Sequence, residues 1–261
     1  MSGPRTVRAL VSAALLWAPL AAAAAEIPLA ERKSSYEFMG RETRAMQDDD
    51  SANPGMLSVL EGESLWNRKA GAGKSCADCH GDASASMKGV AARYPAFDAA
   101  RGRPVDLEQR INICRADQQK ATPLPFESKE LLALTTYVAH QSRGMPITVT
   151  IDERSHASLL SGREIFQRRQ GQLNLSCAQC HDDNWGQKLA GSPITQAHPT
   201  GYPIYRLEWQ SLGSLQRRLR NCMVGMRTEA YPLGADEYVD LTLYLMWRAR
   251  DMPLETPAVR P

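Results

Sequence analysis

Six cysteines carry most of the chemical potential of this 261-residue chain, and four of them stand in two identical frames. "CADCH" sets Cys76 and Cys79 before His80, and "CAQCH" sets Cys177 and Cys180 before His181. Two thiols one helical turn apart can add to the two vinyl groups of a haem, and the adjacent histidine reaches the iron as proximal ligand. Structural zinc also uses Cys-x-x-Cys, and exported chains form disulfides. Two copies, each followed at once by His, favour haem over both. Two covalently bound haem c groups are therefore expected.

The frames sit inside a repeat. "LEGESLWNR" (60–68) matches "LSGREIFQR" (160–168), "YPAF" (94–97) matches "YPIY" (202–205), and "LEQRINIC" matches "LQRRLRNC". "ELLALTTYVAHQSRGMP" (130–146) then matches "EYVDLTLYLMWRARDMP" (237–253). Each half reads helix, haem motif, loop, cysteine, helix, one supersecondary plan used twice. Leu131, Leu134 and Val138, and Val239, Leu243 and Met246, recur at helical spacing and should face a haem or a core. Residues 147–156, "ITVTIDERSH", read as a linker whose β-branched run could form a short strand. Residues 26–55 have no counterpart in the second half and read as an N-terminal extension. The plan resembles the class I cytochrome c fold, an all-α domain with its haem between an N-terminal and a C-terminal helix. The expected organisation is two class I cytochrome c-like domains, residues 56–148 and 149–261. In that family the distal iron ligand, usually Met, comes from the segment just before the last helix, and here that segment carries Cys114 and Cys222.

Three fates are open to these two thiols. A disulfide between them is common chemistry in exported chains. Met145 and Met252, also repeat-equivalent, could be the distal ligands instead, although they lie beyond the last helix. Thiolate ligation of both irons explains why each cysteine holds the same place in its own half, and it would lower both potentials. Arg218 stands one helical turn before Cys222, as Arg110 does before Cys114. The second half adds Arg206, Arg217, Arg220 and Arg227 against Glu208, whereas the first mixes in Asp106, Glu108 and Asp117. Positive charge beside one thiol attracts an anion and marks the second site as the reactive one. His140, His156 and His198 have no motif around them and read as surface or packing residues.

The first 25 residues carry Arg5 and Arg8, then an Ala-rich apolar stretch, then small residues before Glu26. That is the layout of a cleavable secretory signal over residues 1–25, with Pro19 arguing against an anchor. No later stretch is apolar enough to span a bilayer, and export agrees with haem attachment. A formal net charge of +2 gives no reason to expect nucleic acid as a partner.

The dihaem frame together with "RNCMVGMR" (220–227) resembles the SoxA family, the dihaem subunits of SoxAX cytochromes in bacterial sulfur oxidation. The resemblance implies L-cysteine S-thiosulfotransferase activity in the periplasm. Thiosulfate is coupled oxidatively to a cysteine of the carrier SoxYZ, and electrons leave through a monohaem partner, SoxX. It further implies that Cys222 is distal ligand and catalytic nucleophile, at times a persulfide, and that Arg218 binds the substrate. Two alternatives use the same features: a thiosulfate dehydrogenase forming tetrathionate, which usually has one Cys-ligated haem, and a non-catalytic electron-transfer cytochrome. A dihaem peroxidase needs an open iron, which the two spare cysteines would fill.

Overall fold

The structure is a computed structural model and describes Gly3 and residues 27–261; the remainder of the predicted leader lies outside the described residues. Two 3-10 turns, Leu29–Glu31 and Ser35–Phe38, lead into α1 (Arg41–Asp48). The first half then runs α2 (Met56–Asn67), α3 (Ala77–His80), α4 (Ala83–Ser86), β1 (Ala96–Asp98), β2 (Arg103–Val105), α5 (Leu107–Asp117) and α6 (Lys129–His140). The second runs α7 (His156–Gln167), α8 (Cys177–His181), β3 (Lys188–Leu189), β4 (Ser192–Pro193), β5 (Ile204–Arg206), β6 (Ser211–Gly213), α9 (Leu215–Gly225), α10 (Asp236–Arg248) and β7 (Ala258–Arg260).

The all-α expectation needs correction. The chain is largely helical, but among the described residues seven short strands form three small sheets. Each half places an antiparallel hairpin before its cysteine helix, in one register: Ala96 faces Val105, and Ile204 faces Gly213. β7 joins the second hairpin in parallel, Ile204 opposite Ala258, so three strands meet there. Residues 147–152 form no strand; Ile147 is fully buried and exchanges backbone hydrogen bonds with 251 and 252.

The helix pair at the centre of each half owes its closeness to a glycine. Gly62 on α2 lies so near α6 that a Cβ there would stand 2.2 Å from the Ala133 carbonyl oxygen. Gly162 on α7 meets the Asp240 carbonyl of α10 in the same way, at 2.0 Å. Any side chain would push the helices apart, so the glycines set the crossing. The residues of α6 from Leu131 to Ala139 are buried on every face because the helix has two jobs. One side looks into the first site, and the other meets the second half. Between the halves, Ala91, Ala92, Ala139 and Ile147 pack on Met246, Ala249, Met252 and Leu254. Pro146 pairs with its repeat counterpart Pro253 across this seam.

The N-terminal extension crosses to the second half. Asn53 donates to the Pro257 carbonyl at 2.8 Å, Ser34 to Glu255 at 2.5 Å, and Lys33 N–H to Gln196 at 2.7 Å. No helix among the described residues is long and apolar enough to cross a membrane.

Candidate haem and thiol sites

Local chemistry shapes both Cys-x-x-Cys-His turns. In the first, the Ser75 hydroxyl accepts from Asp78 N–H at 3.0 Å while the Asp78 carboxylate accepts from Ser75 N–H at 2.8 Å. Ser176 and Gln179 repeat this reciprocal cap around Cys177. The serine before each first cysteine, and the residue before each second one, thus fix the helical turn that brings both thiols to one side.

Cys76, Cys79, His80 and Cys114 line a single cavity of about 580 Å³, with Leu107, Leu134 and Val138 as its apolar wall. This volume lies within the usual range for cofactor pockets, about 300–1,000 Å³. Burial pushes the Cys76 and Cys114 thiols up, and Arg110 pulls Cys114 the other way. The Trp66 ring lies 5.7 Å from that of His80, and its indole N–H donates to the Gly81 carbonyl at 3.0 Å.

The second site brings Cys177, Cys180, His181 and Cys222 together. Burial pushes Cys177 up to about 12, and the charge of the neighbouring Cys222 adds to it; both causes also raise Cys180. His181 Nδ1 lies 2.6 Å from the Thr195 carbonyl, which orients the ring and leaves Nε2 for a metal. Burial lowers its pKa, with Arg218 and Arg248 acting in the same direction. The neighbouring Asp182 accepts from Arg248 at 2.5 Å in a largely buried ion pair.

All six cysteines are free, so a Cys114–Cys222 disulfide is absent from the structure. The methionine alternative has no support here. Met252 is buried in the seam between the halves and Met145 rests against Gly89, whereas Cys114 lines the cavity. His198 is 5% exposed with Nδ1 3.0 Å from the Lys33 carbonyl, a packing role, and burial pushes it down to about 4. His140 is half-buried and His156 opens α7. On α10 the apolar positions divide: Met246 faces the seam, while Leu241 and Leu245 pack near Cys177. The latter are the repeat counterparts of the cavity-lining Leu134 and Val138.

The arginines sort differently from expectation. Arg110 is paired to Asp98 at 2.5 Å, and Asp98 is buried. Asp106 and Glu108 are buried away from this pair: Asp106 accepts from Gln216 of the other half at 2.7 Å, and burial raises both carboxyls. Asp117 pairs with Arg101 at 3.3 Å. In the second half Arg217 lies over the Trp209 ring at 4.2 Å and near Glu127, and Arg220 and Arg227 are exposed. Arg218 forms no ion pair with a carboxylate among the described residues. Tyr202, raised to about 12 by burial, feels both Arg218 and Cys222. Sequence reasoning missed the neutralising groups Asp98 and Glu127; the signal for Asp98 was its place at the end of the "YPAFD" strand.

A family profile described as SoxA/TsdA, cytochrome c domain, matches residues 61–147 and again 161–254, one match in each half. The chain is 40% identical to the L-cysteine S-thiosulfotransferase subunit SoxA of Pseudaminobacter salicylatoxidans over 89% of its own length and 82% of that protein. It is 36% identical to the subunit of the same name from Rhodovulum sulfidophilum, covering 88% and 80%. The crystal structure of SoxXA from P. pantotrophus superposes with a TM-score of 0.85 at 32% identity, over 88% of this chain and 87% of that one. Paired cysteine frames on capped helical turns, a further cysteine gathered beside each frame, and this similarity along most of both chains place the protein in the SoxA family of L-cysteine S-thiosulfotransferase subunits, whose cytochrome c domain carries covalently bound haem c.

Proposed function

We propose that the chain carries two haems, one in each of two class I cytochrome c-like domains (residues 56–148 and 149–261), and that the second domain couples thiosulfate to a carrier cysteine. The donor sets fit the groups they would hold. Cys76 and Cys79 would attach the first haem, with His80 and Cys114 available to its iron, and Cys177 and Cys180 would attach the second, with His181 and Cys222 available to its iron. Bound haem supplies a one-electron acceptor.

The residues of the second site do the rest. Arg218 holds the sulfonate end of the thiosulfate dianion, because a guanidinium makes two parallel charged hydrogen bonds to such a group. Cys222, four residues on, meets the sulfane sulfur. Cys222 thiolate and thiosulfate form one S–S bond and release two electrons. A thiolate of the SoxYZ-like carrier then displaces the Cys222 thiolate, giving carrier S-thiosulfonate. The two electrons leave singly to a SoxX-like monohaem subunit, with which this chain forms a heterodimer. Residues 26–55 act as an extension clamped on the second domain, and the complex works in the periplasm after removal of residues 1–25.

One observation carries the choice of site: Arg110 is neutralised by Asp98, whereas its counterpart Arg218 has no carboxylate partner among the described residues. Incubating the heterodimer with thiosulfate, an electron acceptor and carrier should add a thiosulfonate mass to the carrier cysteine. Tetrathionate as the main product, with unmodified carrier, would overturn the reading in favour of a thiosulfate dehydrogenase.

A further inference from the structure

The segments 94–117 and 202–225 align without a gap, and the two hairpins share one register, so each residue of the first has a structural counterpart 108 positions later. Asp98, at the end of β1, corresponds to Arg206, at the end of β5. In the first half this position touches the helix that carries the cysteine, since Arg110 Nη2 lies 2.5 Å from Asp98 Oδ2. In the second half the same strand end carries a guanidinium, and the matching helix position is Arg218.

The surroundings of Arg206 leave it available to an anion. Its side chain is 14% exposed, with Nε donating to the Pro261 carbonyl at 2.9 Å and Nη2 3.0 Å from Glu208, which is itself 64% exposed. Its guanidinium sits 5.1 Å over the Trp209 ring. That leaves donors unassigned on a planar group held rigidly by stacking and by the chain end. Burial and then the repulsion of Arg218 lower its pKa, opposed by Glu208, Tyr202 and Cys222. Arg206 has one exposed carboxylate beside it, Glu208, and Arg218 has none among the described residues, so the pair carries positive charge that a dianion could answer.

We propose that Arg206 is a second anion-positioning residue, so that thiosulfate is clamped between Arg206 and Arg218 beside Cys222, while Asp98 at the equivalent point of the first half occupies Arg110. This deepens the reading above and rests on it. A single charge reversal at the end of a three-residue strand then separates the two sites: Asp98 occupies Arg110 in the first, and Arg218 is left without a carboxylate among the described residues in the second.

The test uses the heterodimer with its monohaem subunit and carrier, in which Arg206 is changed to Ala, Gln, Lys and Asp. Thiosulfate KM is measured, and binding of thiosulfate and of inert sulfate to the resting complex is followed by calorimetry without carrier. Arg206→Ala and Arg206→Gln should raise KM and weaken both anions about tenfold, the scale of one lost charged hydrogen bond, with kcat changed less. Arg206→Lys should recover part of the loss, and Arg206→Asp should abolish detectable binding. Gln keeps a donor for the Pro261 carbonyl, so it separates loss of charge from any loosening of the chain end seen with Ala. Unchanged KM and unchanged anion binding in folded Arg206→Gln and Arg206→Asp, while Arg218→Ala and Cys222→Ala are impaired, overturn this inference alone. Normal thiosulfate turnover by Arg218→Ala and Cys222→Ala overturns the parent reading and this one with it.

Discussion

Cys114 and Cys222 hold the same place on α5 and α9 and differ in what surrounds them. Arg110 beside Cys114 is occupied by Asp98. Cys222 has Arg218 without a carboxylate partner among the described residues. Replacing Cys222 by Ala should therefore abolish thiosulfate-dependent electron transfer, whereas Cys114→Ala should mainly alter the spectrum and potential of the first haem. Low-spin electron paramagnetic resonance of the oxidised protein checks the ligation, each substitution removing one thiolate-type component. Arg218→Ala should cost about 2–4 kcal/mol in transition-state terms, read from kcat/KM, if the anion is held in a water-poor site. Normal turnover by Cys222→Ala would leave the arginines serving the haem alone.

At the scale of elements, each site depends on a close helix pair and a capped turn. Gly162 faces the Asp240 carbonyl of α10, and Gly62 the Ala133 carbonyl of α6. Backbone atoms cannot step aside as a flexible side chain can, so overpacking here costs about 1–3 kcal/mol or more. Gly162→Ala should lower the thermal midpoint and disturb the absorbance of the second haem more than that of the first; Gly62→Ala should do the reverse. Equal disturbance of both spectra by either change would show that the glycines stabilise the chain without locating its sites. Much of this level was legible beforehand. The helices, the cysteine turns and their order follow from 3.6-residue periodicity and from motifs spanning five residues. The hairpins were not anticipated, because strands of two or three residues are too short to show alternation.

Across the whole molecule, the extension and the C-terminal strand lock onto the second half together. Arg260 bridges Glu255 at 2.6 Å and donates to Ser35 at 2.6 Å, and the Lys33 carbonyl meets His198. Burial holds His198 neutral with a folded-state value of about 4, below the ordinary histidine value of about 6.5. Between these values the unfolded chain binds the extra proton, so the contribution of His198 is fully present above about pH 6.5 and is lost as the pH falls toward 4. The loss should approach about 3 kcal/mol at the acid end, a depression of some two pH units or more at about 1.4 kcal/mol each. Thermal midpoints of the native protein from pH 7.5 to 4.5 should decline more steeply than those of His198→Gln. Parallel slopes would mean that other groups govern the acid limb.

The sequence by itself determined the two Cys-x-x-Cys-His frames, the repeat, the equivalence of Cys114 and Cys222, and the concentration of arginine in the second half. These are relations between near neighbours, or between identical words in the chain, and helical geometry turns them directly into shared faces. Tertiary structure alone decided which charges meet. Asp98 and Arg110 are twelve residues apart and touch only because a hairpin register and a helix crossing bring the strand end to the helix. Asp106 and Glu108, nearer to Cys114 in sequence than Asp98, are buried toward the other half, where Gln216 answers Asp106. Likewise Met246 faces the seam while Leu241 and Leu245 flank the second site, a division set by the packing of one half on the other. Periodicity states that a helix has an apolar side, but a helix buried on every face needs its neighbours to say which side meets which.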